Sequence, residues 1–395
     1  MPAERISPPS SPCDLSSRHT FTHLTYSRHH LIDIAKETIK ISENGHYKNN
    51  KGETIQLKRD LDWSVEHCVH YEHEFDFNDA LKQYDEGNGS LDKVTEGIQQ
   101  QSISQRSLLT ARAFQRTSFL VVSASWLEAA SELQACDDNV RVGVLNSASG
   151  TTPGGRFLKG TVSQEDCLCR ASLLYSCISQ PKFQSEGRFY GKNRSFRYGT
   201  SNCVIFSPDV PVIREDTVEG KLLDRYEKVS FVSLPAPNAF TTNTATGKEY
   251  NDVESEERQK GLSSHARNLS VNCLASLEED TDSDELFEQK RRALLASLSD
   301  RIHRALSAFV LGGCTDLVLP AFGCGVHGND PAMVAQVFRE MLSDPHQFGG
   351  RFRTVVFAIP PSRKQNYQAF AAYFHKQQEA TMKKAELKRG ATTLT

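Results

Sequence analysis

Two acids stand a short way behind a pair of glycines in TTPGGRFLKGTVSQED, residues 151–166, and this order of residue types supports two kinds of chemistry. Gly154 and Gly155 follow a proline and permit a sharp turn whose successive amides face one concavity, which suits an anion. Glu165 and Asp166 carry carboxyls of the kind that serve as a general acid or base. The stretch GRFLKGT lacks the lysine that a P-loop places between its second glycine and its threonine, so nucleotide hydrolysis by that route is rejected. The acids also have a structural reading. Ser163-Gln-Glu-Asp166 has the form of a capping box, with Ser163 as N-cap and Asp166 at N3, and acids gain from the dipole of a first helical turn.

A second loop repeats the design. TDLVLPAFGCGVHGNDP carries Gly323, Gly325 and Gly328 in G-x-G-x-x-G spacing, but no ribose-binding acid follows, so the dinucleotide fingerprint is incomplete. Asp330 and Pro331 form an N-cap and N1 pair, which predicts a helix whose first amides face the loop and offer a phosphate seat. Two glycine-rich loops, each between a strand and a helix, predict a ligand with two phosphates held from both sides. Metal binding finds little support: Cys167 and Cys169 are two apart, which one helical face cannot present together, and His327 is remote in sequence.

The elements that must position these loops are legible as apolar runs. SFLVVSASW reads as a strand, WLEAASELQA as a helix, and VRVGVLN as a strand that enters the first loop. CVIFSP, KVSFVSLPA, TDLVLPAF and RTVVFAIP are further short runs bounded by turn residues, with helical patterns at about 286–311 and 331–342. Strands apolar throughout predict a sheet covered on both faces, hence a layered α/β domain. HHLIDIAKETIKISENG, residues 29–45, reads as an amphipathic helix ending at Gly45.

The expected organisation is a Ser/Pro-rich tail over 1–25, an N-terminal helical extension over 26–115, the α/β domain over 116–375 with a polar insertion at about 241–284, and a basic helix or tail over 376–395. The chain of 395 residues is 38% hydrophobic and 24% charged with a net charge of -3, a balance that gives no general reason to expect nucleic acid as a partner. The first residues lack the apolar core of a secretory signal, no run of about 18 apolar residues predicts a membrane span, and ten scattered cysteines read as reduced thiols. A cytoplasmic or nuclear protein without a cofactor is expected.

The combination LNSASGTTPGGRFLKGTVSQEDCLCRASLLY, VIFSPDVPVIRE, VSFVSLPAPNA, LVLPAFGCGVHGNDP and VVFAIP resembles the microbial-type poly(ADP-ribose) glycohydrolase family, a branch of the macrodomains, over about residues 28–240 and 285–362. The resemblance implies a three-layer α/β/α macrodomain with a mixed central sheet and ADP-ribose in a cleft at the sheet's edge. Gly154 and Gly155 match the first two glycines of that family's catalytic loop, and Gln164-Glu165-Asp166 matches its Gln-Glu-Glu motif. Asn146 is implied near the distal ribose, and Gly323, Gly325, Val326 and Gly328 in the diphosphate loop. The sequence departs from the family at Arg156 in place of the third glycine, Asp166 in place of the catalytic second glutamate, and His327 in place of a phenylalanine.

The expected reaction cleaves the glycosidic bond at the distal ribose of protein-linked ADP-ribose, mono- or poly-, through an oxocarbenium-like state that needs an acid and then an activated water. An Asp withdraws the carboxyl by one bond, roughly 1.5 Å, and displacement on the order of 1 Å costs about a hundredfold in rate. Either the loop shifts so that Asp166 reaches, or Glu165 takes over, or a different linkage is cut. Arg156 is a candidate for a substrate phosphate and His327 for a ribose contact or proton transfer. The competing reading is a non-catalytic ADP-ribose reader; a hydrolase of another nucleotide-derived metabolite is a third.

Overall fold

The computed structural model describes residues 27–86, 114, 116–137, 139–195, 200–240 and 281–374. The tail at 1–25, the insertion up to residue 280 and the basic end at 376–395 lie outside the described residues.

Each apolar run of the sequence is a strand. The main sheet contains β3 (Val69–Tyr71), β4 (Ser118–Val122), β5 (Val142–Ser147), β6 (Val204–Arg214), β7 (Leu222–Leu234), β8 (Asp316–Leu319) and β9 (Thr354–Ala358), in the spatial order β3-β6-β7-β5-β8-β9-β4. From β7 to β4 all pairings are parallel, and β6 is antiparallel to both β7 and β3, so the sheet is mixed.

Side chains alternate strictly between two cores. Leu145, Leu317, Leu319, Val355 and Phe357 face one core, with α3 (Phe77–Glu86), α8 (Thr281–Leu311), α9 (Pro331–Ser343) and the helical segment 364–374. Val144, Val318, Val356 and Ala358 face the other, with α1 (Arg28–Asn44), α2 (Lys58–Glu66), α4 (Trp126–Cys136), α5 (Gln164–Ala171), α6 (Leu174–Ile178) and α7 (Phe189–Ser195). The period of two along each strand thus yields three layers, α/β/α.

The segment 26–115 departs from a helical extension. It contains a two-stranded hairpin, β1 (His46–Lys48) with β2 (Thr54–Gln56), and β3 completes the edge of the main sheet. Strands of three residues carry no readable alternation, which is why the sequence hides them. Helix α1 is also tied into the fold behind the acids: Thr38 Oγ1 donates to the Arg170 carbonyl in α5 at 2.8 Å and accepts from Arg214 Nε at 3.0 Å. Arg28 Nε donates to the Lys159 carbonyl at 2.6 Å, so the start of α1 holds the far side of the first glycine loop. Seven of the described cysteines are free thiols. Among the described residues no helix is long and apolar enough to cross a membrane.

Candidate active site

The first loop leaves the C-terminal end of β5 and the second leaves the C-terminal end of β8, its parallel neighbour. Ligands of open α/β sheets bind at such ends. The capping box at the start of α5 is formed in both directions, with Ser163 Oγ accepting from the Asp166 amide and the Asp166 side chain accepting from the Ser163 amide.

Gln164, Glu165 and Asp166 open α5 and have separate tasks. Gln164 clamps the helix to the strand end: its Oε1 accepts from the Ser147 amide at 2.9 Å and its Nε2 donates to the Leu145 carbonyl at 2.7 Å. Asp166 is a brace. Its Oδ1 accepts from the Arg156 amide at 2.9 Å, and its Oδ2 accepts from the Ser163 amide at 2.8 Å and the Ser163 hydroxyl at 2.7 Å. Both of its oxygens therefore serve the loop.

Glu165 faces the strand end. Its Oε2 accepts from the Ser149 amide at 2.8 Å, and the Asn146 side-chain amide approaches its Oε1 at 3.4 Å. The residue is buried, and burial pushes its carboxyl from the usual 4.5 up to about 8; bonds from the Ser149 amide, Asn146 and the Gly154 amide oppose the shift, and the Asp166 charge adds to it. Asn146 is held in turn by Ser233, its register partner on β7, through Nδ2 to Oγ at 3.0 Å, while its Oδ1 has no partner among the described residues. The buried Tyr190 hydroxyl, also without a partner among the described residues, belongs to the same surroundings: burial first, then the Glu165 charge, raises its proton affinity.

The loop geometry explains the glycines. Gly154 and Gly155 have φ of +67° and +59°, in the left-handed region. A Cβ on Gly155 would lie 3.2 Å from both Asp166 Oδ1 and Glu165 Oε2, so the absence of a side chain lets the two carboxyls close on the loop. Arg156 has φ of -122°, a conformation open to any residue, so its backbone has no need of a third glycine. Its exposed guanidinium has no hydrogen bond or ion pair among the described residues.

Two expectations about anion seats are corrected. The amides of Gly154 and Arg156 are engaged by Glu165 and Asp166, and that of Gly155 donates to the Thr152 carbonyl at 3.0 Å. These amides hold acids rather than an open phosphate nest. At α9 the Asp330 carboxylate accepts from the Ala332 amide at 2.9 Å, so an acid already occupies the expected phosphate seat.

The second loop keeps its own amides available. Those of Gly325, Val326 and His327 donate to no acceptor among the described residues, Val326 is 84% exposed, and a Cβ on Gly325 would meet nothing within 4 Å. Gly323 and Gly328 shape the loop: a Cβ on Gly323 would lie 2.2 Å from Asn329 Nδ2, and one on Gly328 would lie 2.5 Å from the exposed ring of Phe240. Asn329 Nδ2 donates to the Pro237 carbonyl at 3.0 Å and the Ala239 amide donates to the His327 carbonyl at 2.9 Å, which pins the loop to the exit of β7. Burial, then the Arg301 charge, hold the His327 imidazole below its usual proton affinity, so near neutral pH the ring is uncharged.

Sequence reasoning passed over the clamp role of Gln164, and over Ser149, Ser233, Tyr190, Phe240 and Asn329. A signal existed for Ser233: it interrupts VSFVSL as Asn146 interrupts VGVLNS, and a polar residue inside a doubly covered strand demands a partner.

Residues 35–215 match the family described as microbial-type PARG, catalytic domain. The poly(ADP-ribose) glycohydrolase of Thermomonospora curvata, solved with the inhibitor ADP-HPD, is similar at 28% identity and a TM-score of 0.61, over 88% of this chain and 100% of that one. That of Deinococcus radiodurans, solved with ADP-ribose, is similar at 26% identity with a TM-score of 0.56, over 80% of this chain and 98% of that one. No curated protein matches in sequence. Together with the α/β/α layers and the QED helix at the end of β5, these likenesses make the chain similar to the microbial-type PARG catalytic domain over residues 35–215 and to solved PARG structures over 80–88% of its length.

Proposed function

We propose that this protein is a glycosidase that releases ADP-ribose by cleaving the glycosidic bond at the distal ribose of protein-linked ADP-ribose, with Glu165 as its acid and base and Asp166 as the brace of the catalytic loop. The observation that carries this reading is the Glu165 carboxyl: buried, beside Asn146 at the end of β5, and with a proton affinity raised to about 8. A carboxyl that keeps its proton near neutral pH is suited to serve as a general acid when it faces the reacting bond. The relatives' structures with ADP-ribose and with ADP-HPD support a ligand of this class.

In the reaction Glu165 gives its proton to the leaving oxygen as the bond to the anomeric carbon breaks. The resulting carboxylate takes a proton from water, and the hydroxide attacks the anomeric carbon. Free ADP-ribose leaves, and Glu165 is again protonated. Asn146, held by Ser233, is placed to orient the distal ribose, and its unpartnered Oδ1 is an acceptor for a ribose hydroxyl. The amides of Gly325, Val326 and His327 are the seat for the diphosphate, and Gly154, Gly155 and Arg156 line the reacting end, with the Arg156 guanidinium available to a substrate phosphate. No cofactor or metal enters this chemistry, the partners are ADP-ribosylated proteins rather than nucleic acid or membrane, and the compartment is cytoplasmic or nuclear. A reader without activity accounts less well for Glu165, because recognition of a ribose gains nothing from a carboxyl held protonated by burial.

The test is ADP-ribose release from auto-modified protein carrying poly- or mono-ADP-ribose, beside calorimetric titration with free ADP-ribose, for wild type, Glu165→Gln and Asp166→Asn. Release lost in Glu165→Gln with binding retained is the expected result. Tight binding without release by wild type from either substrate means a reader, and absence of binding removes the ADP-ribose reading.

A further inference from the structure

Arg301 in α8 is 3% exposed, and no salt bridge among the described residues includes it. Its neighbour Asp300 is paired with Arg304 at 3.2 Å, and the similarly buried Arg214 has its own partner, Glu37, at 2.6 Å. The Arg301 guanidinium binds only neutral oxygens: Nη1 donates to the Pro235 carbonyl at 2.6 Å and to Thr200 Oγ1 at 2.5 Å, and Nη2 donates to the Thr200 carbonyl at 2.7 Å. Its buried Nε has no partner among the described residues. Burial lowers its pKa to about 10, which still leaves it a cation at neutral pH.

This cation sits between the two loops. The methyl of Thr200 lies 3.2 Å from where a Cβ on Gly150 would be, at the head of the first loop. Pro235 follows β7 and leads into the segment that pins the second loop through Asn329 and Ala239. His327 in the second loop feels the Arg301 charge directly. A buried cation without an anion is a cost to the fold that a bound anion removes.

We propose that Arg301 determines the specificity of the cleft, its guanidinium being the built-in counter-charge for the ligand's diphosphate. This rests on the ADP-ribose reading above and adds to it the group that distinguishes a diphosphate from a neutral nucleoside. The amides of the second loop give the anion its contacts, and Arg301 gives the floor of the cleft its sign.

Calorimetric titration with ADP-ribose and NMR titration with adenosine test this on wild type, Arg301→Met and Arg301→Lys. Failure of wild type to bind ADP-ribose removes the ligand reading itself. If wild type binds, Arg301→Met weakens ADP-ribose about tenfold or more and leaves adenosine within about twofold. An equal loss for both ligands overturns the proposal, because it marks a structural role. Should Arg301→Met fail to fold, Arg301→Lys decides. A lysine buried there titrates at lower pH than arginine, so the ratio of its ADP-ribose affinity to that of wild type falls between pH 6 and pH 9. A ratio constant with pH, adenosine binding unchanged, overturns the assignment.

Discussion

Replacing Glu165 by Gln separates what the carboxyl contributes to chemistry from what it costs the fold. Folding raises the Glu165 pKa from 4.5 to about 8. Between those values the folded protein binds a proton that the unfolded chain has released, so stability falls as pH rises through this window, by at most about 1.4 kcal/mol per pH unit. Below 4.5 the carboxyl is protonated in both states, and above about 8 it is ionised in both, so the loss is confined to the interval. Over about 3.5 units it sums to about 5 kcal/mol. Glu165→Gln has no proton to lose and is expected to show a decline smaller by about that amount between pH 4.5 and pH 9, measured by guanidinium unfolding at unit steps of pH. In the same window wild-type release of ADP-ribose is level below pH 8 and falls about tenfold per unit above it, as the acid loses its proton, while Glu165→Gln is inactive throughout. Parallel stability curves for the two proteins would refute the raised proton affinity and with it the assignment of Glu165 as the acid.

Asp166→Asn keeps the shape of the brace but points an amide at one of its donors; it is expected to lower stability by about 1–3 kcal/mol in denaturant titration and to slow release less than Glu165→Gln does. The reverse order of the two variants assigns the acid to Asp166. Gly155→Ala puts a methyl at a backbone φ of +59° and 3.2 Å from both carboxyls, and is expected to cost about 1–2 kcal/mol and about a hundredfold in release, read by single-turnover kinetics. Gly323→Ala puts a Cβ at a backbone φ of +72°, 2.2 Å from Asn329 Nδ2 and 2.8 Å from the Ala236 Cβ, and breaks the contact that pins the second loop, so it is expected to cost at least about 1–2 kcal/mol in denaturant titration and to weaken ADP-ribose binding in calorimetry.

The layers of this fold were legible because strands covered on both faces leave apolar runs, and VRVGVLN, TDLVLPAF and RTVVFAIP each became a strand. The helix start at Ser163 was legible for a local reason, since a capping box is written in four consecutive residues. What the sequence concealed depends on contacts between remote segments. Strands β1 to β3 are too short to alternate, and the grip of Thr38 on Arg170 joins positions 132 residues apart. The direction of the loop amides was hidden too: glycines announce a turn but not what its N–H groups face, and here they face the protein's own acids.

The two acids at the start of α5 stand at positions with different local demands. A side chain at N3 of a capping box must turn back toward the N-cap amide, and an aspartate is long enough for that reach, as the 2.8 Å bond to the Ser163 amide demonstrates. The side chain at N2 has no such duty and projects about 100° further round the helix, here toward the end of β5, where Asn146 and the Ser149 amide receive it. On the reading proposed above, a shorter acid at position 166 therefore does not retract a proton donor from the cleft. Its carboxylate accepts from the Arg156 and Ser163 amides, and on the proposed reading the longer acid, one residue earlier, supplies the proton.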